Sequence, residues 1–154
     1  MKISKNIQCL LVTGMCFVFT LPILAQDMSE NSIAVDPMKI SAEMTTFDCP
    51  PFIPEGCTIT VLQGDHTKGN FDILFKIPAN FDVPKHWHTS PERMVLLSGT
   101  LEVTYDGEAT QVLKTGDYAY GPAKKPHTAR CGDDGPCTLF IAFENPLDAH
   151  PVEE

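Results

Sequence analysis

From Cys57 onward the chain is interrupted every few residues by Gly, Pro, Asn or Asp, and the stretches between interruptions are too short for helices. Nine of them have strand-like composition: Thr58 to Leu62, Phe71 to Ile77, Pro84 to His88, Arg93 to Leu97, Thr100 to Tyr105, Thr110 to Leu113, Asp117 to Tyr120, His127 to Cys131 and Thr138 to Phe143. The interruptions include Gly64-Asp65, Pro78-Ala79-Asn80, Ser98-Gly99, Asp106-Gly107, Thr115-Gly116 and Gly121-Pro122, residue types that supply the backbone angles of tight turns. Apolar residues alternate within the runs. Leu101, Val103 and Tyr105 share one face, and Asp106-Gly107 then supplies a hairpin turn. No window carries a convincing helical period over ten or more residues. A chain of 154 residues makes one core, so these strands predict a single all-β sandwich or barrel.

The first residues stand apart from that pattern. Lys2 and Lys5 precede an uncharged apolar run, Ile7 to Leu24, which ends at Ala25 before a polar stretch. This is the order of a secretory signal peptide over residues 1–25, cleaved near Ala25, and it predicts a periplasmic or secreted protein. An uncleaved membrane anchor is the alternative, but the run is barely long enough to span. Cys16 follows Met15, where a lipid-attachment site would want a small residue. Cleavage removes two lysines and no acid, so the formal net charge of −9 becomes more negative still. That balance argues against nucleic acid, and against anionic membrane as a partner of the mature form. Residues 26–54 read as an extended N-terminal arm with an edge strand around Met38 to Ile40. Residues 55–146 form the barrel, and 147–154 an acidic tail lying over its surface.

Cys49, Cys57, Cys131 and Cys137 remain after cleavage, an even number in an oxidising compartment. Three pairings are possible. The local one, Cys49 with Cys57 and Cys131 with Cys137, closes two short loops rich in Pro and Gly and is favoured. The rival makes Cys131 a free thiol or a further metal ligand near His127.

His86 and His88 are two apart in a strand-like run, so they share a face while Trp87 points away. Glu92 lies just past the Thr89-Ser90-Pro91 bend, and His127 arrives from a later strand that a closed sheet can bring alongside. Three imidazoles and one carboxylate suit a divalent transition metal and leave coordination positions free for a substrate. Burying the four without a cation would be costly. His66 and His150 read as ordinary surface or core histidines. Arg93, Lys124, Lys125 and Arg130 read as solvated. Trp87, Phe71, Phe75, Tyr118, Tyr120 and Phe140 read as packing residues, with Tyr118 or Tyr120 able to line a site mouth.

The placement of these residues resembles the cupin superfamily. His86-Trp87-His88, Glu92 and Gly99 match its first motif, with Asn80 where the motif opens on glycine. Gly116, Pro122 and His127 match the second, with Lys124 in place of the inner glycine and Cys131 in place of the closing Asn. The resemblance covers about Cys57 to Phe143. It implies a jelly-roll β-barrel (double-stranded β-helix), with His86, His88 and His127 as fixed metal ligands and Glu92 as an adjustable ligand or catalytic base. Fe, Mn, Ni and Zn are all admissible. It further implies a metal-dependent dioxygenase or oxidoreductase acting on a small oxygen-rich molecule, and a homodimer to which residues 26–54 contribute an exchanged strand. The alternative is a non-catalytic sensory module that binds a metal or small ligand. Isomerase-type cupins that act on sugars usually lack this ligand set.

Overall fold

The nine runs reappear as strands in the computed structural model, which describes residues 36, 39 and 44–153. The strands are β1 (Thr46–Asp48), β2 (Thr58–Asp65), β3 (Gly69–Ile77), β4 (Asp82–Trp87), β5 (Glu92–Ser98), β6 (Thr100–Tyr105), β7 (Gln111–Lys114), β8 (Tyr118–Gly121), β9 (His127–Cys131), β10 (Cys137–Phe143) and β11 (His150–Pro151). The signal peptide expected over residues 1–25 lies outside the described residues. So does the edge strand expected around Met38 to Ile40, apart from Lys39, which sits in a bend.

Two antiparallel sheets face each other in a jelly roll. One runs β1-β2-β3-β10-β5-β8 and the other β11-β4-β9-β6-β7. Leu101, Val103 and Tyr105 point inward as the alternation predicted, and Phe71, Ile73, Leu96, Leu139 and Ile141 meet them from the opposite sheet. Phe71 stacks on Phe143 at a centroid separation of 5.2 Å. Burying side chains of this size stabilises the fold by roughly 1.5–3 kcal/mol each relative to exposure. Gly99 and Gly116 take φ of 81° and 92° where the chain reverses, angles that a side chain resists.

Local chemistry moved some expectations. The reversal expected at Gly64-Asp65 falls instead at residues 66–68. The Asp65 carboxylate accepts from the Thr67 backbone N–H at 2.9 Å and builds the turn there. Thr46–Asp48 pairs with β2 of its own chain. Tyr118 and Tyr120 stand on the solvent side of edge strand β8, 59% and 52% exposed, and neither lines the interior cavity. The local disulfides form, Cys49–Cys57 and Cys131–Cys137, with Cα separations of 5.7 and 5.8 Å. Cys131 is therefore neither a free thiol nor a metal ligand.

Candidate metal centre

Pro84 has no N–H to give the sheet, and β4 bulges there: the register with β9 shifts between Val83 and His86. The Pro84 carbonyl accepts from His86 Nδ1 at 2.8 Å. His88 lies just past the end of β4, and its Nδ1 donates to the Asp148 carbonyl at 2.5 Å. His127 opens β9 directly opposite His86 and donates from Nδ1 to the Lys125 carbonyl at 3.1 Å. A carbonyl only accepts, so each ring carries a proton on Nδ1, and the neutral form of each has its lone pair on Nε2. This is how metal-ligating imidazoles are oriented.

The three rings converge. Their centroids are 4.4 Å (His86–His127), 4.7 Å (His86–His88) and 5.5 Å (His88–His127) apart. The nitrogens they offer lie within 4.8 Å of one another, a grouping that could hold a metal ion. Glu92 reaches the same point from β5, with Oε1 at 3.4 Å from His88 Nε2 and Oε2 at 3.6 Å from His127 Nε2. Its strand starts after a bend held by buried Ser90, whose Oγ accepts from the Glu144 N–H at 2.8 Å. Gly121, paired with Glu92, is obligatory for space. A Cβ there would fall 2.7 Å from the Tyr105 hydroxyl and 3.1 Å from Glu92 Oε2.

Burial, with repulsion from His127 and then His88, pushes His86 down to about 3. Burial also lowers His127, against an opposing pull from Glu92. Both rings are thus neutral at pH 7, the form that binds metal. Burial and the charges of Glu92 and Glu108 raise Tyr105, whose hydroxyl has no hydrogen-bond partner among the described residues.

The other residues noted in the sequence have structural roles. Trp87 faces away from the cluster and stacks on His150 at 4.1 Å. Arg93 pairs with Glu144, Lys125 with Glu108 and Arg130 with Asp82. Asn80 and Lys124, which stand where the motifs have glycine, adopt φ of 57° and 59°. The left-handed bends are therefore kept, and Lys124 N–H donates to the His88 carbonyl at 2.8 Å.

Sequence reasoning missed Asp148. Its carbonyl orients His88, and its Oδ1 accepts from the Thr89 N–H at 2.8 Å. The tail thereby joins the site, fastened by the pairing of β11 with β4. Phe52 was missed as well; it lies 5.8 Å from His86, ring to ring.

Residues 73–143 match the family model for a cupin domain. No curated protein matches the sequence. Several solved structures share the fold. An RmlC-like cupin from Shewanella frigidimarina is 19% identical with a TM-score of 0.56, over 71% of this chain and 91% of its own. KdgF from Halomonas sp. is 21% identical with a TM-score of 0.55, over 71% and 94%. A Bacillus subtilis oxalate decarboxylase with Mn(II) centres is 16% identical with a TM-score of 0.55, over 74% of this chain but 33% of that one. On the match over residues 73–143 and the shared jelly roll, this chain carries a cupin domain.

Proposed function

We propose that this chain is an exported metal-binding cupin, a dioxygenase or related oxidoreductase, whose centre consists of His86, His88, His127 and Glu92. One observation carries the reading. Three buried or nearly buried imidazoles each tie Nδ1 to a main-chain carbonyl, which leaves three lone pairs and a carboxylate facing one point. The donor set fits a divalent transition metal, and the manganese of the oxalate decarboxylase is one precedent within the fold. When bound, such an ion supplies Lewis acidity and, if redox-active, electron transfer.

The protein's own groups do the rest. The carbonyls of Pro84, Asp148 and Lys125 fix the ring orientations before any ligand arrives. Glu92, with two oxygens near two different rings, can hold the ion through one and accept a substrate proton at the other. The cavity walls beside that transfer are mostly apolar. The basic and apolar leader, together with two disulfides, supports export.

Metal analysis of the protein purified from its own compartment, with oxygen uptake against catechols, flavonols and diketones, tests the proposal. A redox metal with oxygen consumption supports it. Zinc without turnover would instead favour the non-catalytic binding module. Glu92→Gln separates the roles of that residue: activity lost with metal retained indicates a base, and metal lost indicates chiefly a ligand.

A further inference from the structure

The centre opens onto a cavity of about 420 Å³ between the two sheets. A cavity of ~150 Å³ holds benzene, so this one has room for a molecule of two or three rings. Its walls are contributed by both sheets, with Ile73, Leu139 and Ile141 on one side and Val83, Leu101 and Val103 on the other. These side chains offer no hydrogen bond. Apart from the four centre residues, the ionisable side chains on the wall are Asp48, His66 and Asp148.

Charge narrows the choice further. Among the described residues no Lys or Arg lines the cavity. Of the cations nearest in sequence to the centre, Lys85 pairs with Asp106, Arg93 with Glu144, Lys125 with Glu108 and Arg130 with Asp82, while Lys124 is exposed and stands off the cavity wall. A dianion entering here would meet two further carboxylates and no counter-charge beyond the ion itself. A polyol would set hydroxyls against aliphatic walls and leave them unpaired. A divalent ion beside Glu92 retains one net positive charge, which a singly ionised chelating group neutralises.

Resting on the metal-centre reading above, we propose that the ligand of this site is a largely apolar molecule, uncharged in solution, whose chelating oxygens are confined to one end. Its body lies between the sheets and its oxygens face His86, His88, His127 and Glu92. Sugar acids and small dicarboxylates are excluded by the same walls.

Two binding measurements on the intact chain test this. The first compares benzoylacetone with acetylacetone on the metal-loaded protein, each corrected for its affinity for the free ion, alongside oxalate and gluconate. The two diketones share a chelating head, and burying a phenyl in place of a methyl should strengthen binding about 30-fold. Oxalate and gluconate should bind more weakly than either. The second measures fluorescence of N-phenyl-1-naphthylamine, a neutral apolar dye, with the metal-free chain; one molecule should be taken up per chain. A chain that takes up the dye but holds no ion overturns the metal-centre reading and leaves the apolar site supported. A chain that holds the ion, prefers oxalate or gluconate and leaves the dye in water overturns this inference while the metal centre stands.

Discussion

Gly121→Ala reverses the usual effect of removing a glycine from a strand. Within β8, alanine would ordinarily stabilise by roughly 0.5–1 kcal/mol, because it restricts the unfolded chain and adds side-chain contact. Here the added methyl would sit 2.7 Å from the Tyr105 hydroxyl and 3.1 Å from Glu92 Oε2. Neither neighbour can yield cheaply. Tyr105 is a rigid ring buried against His127 at 5.1 Å, and Glu92 is buried beside two imidazoles. Overpacking of this kind costs about 1–3 kcal/mol, so the variant should be less stable than the parent in urea denaturation. Displacing Glu92 should also weaken metal binding about 10–100-fold, the range seen when groups that orient ligands are disturbed. Gly107→Ala is the control. Its Cβ meets nothing within 4 Å, though its φ of 79° carries strain, so it should lose stability and keep metal affinity. Should Gly121→Ala match or exceed the parent in stability with unchanged metal affinity, the crowding argument is wrong.

Three further outcomes are expected. The metal-free chain should lose stability as pH falls from 7 to 5. Burial and the neighbouring rings hold folded His86 at about 3 against 6.5, so below 6.5 the unfolded chain carries a proton that the folded one lacks. This contribution is present above 6.5 and is lost towards 3 at up to about 1.4 kcal/mol per pH unit, with His127 shifted in the same direction; urea midpoints that stay flat over the range would refute it. Asp148→Ala releases the Thr89 N–H and loosens the strap over His88; a chelator competition should show metal affinity lowered about tenfold, and equal affinity would mean that the tail carbonyl is held by other contacts. Joint replacement of Cys49 and Cys57 by Ser should cost about 2.5 kcal/mol, the loop-closure value for a sequence separation of 8; it should also speed release of the dye from the cavity that Cys49 helps to line.

Much of the barrel was legible because its signals are local. Alternation placed β6, turn residues bounded β5 to β7, and the spacing of His86 and His88 put both rings on one side. The edge strands β1 and β11, three and two residues long, are too short to show alternation. Their pairing depends on what lies beside them. The tail's role was hidden for the same reason: the bond from His88 to Asp148 spans 60 residues and uses a main-chain carbonyl, which no side-chain motif records. Asn80 and Lys124 departed from the motif glycines, yet the backbone kept the left-handed angles. Asn tolerates that region readily. Lys124 is held there while its N–H bonds the His88 carbonyl. The apolar character of the cavity was also hidden, because it arises from inward faces of strands far apart in sequence.

Anomalous diffraction from crystals of the metal-loaded protein addresses the central claim most directly. A single peak at about 2.0–2.2 Å from Nε2 of His86, His88 and His127, with a Glu92 oxygen at a similar distance, is the predicted result. A chain that binds no transition ion, or one whose ion sits on other side chains, would contradict it.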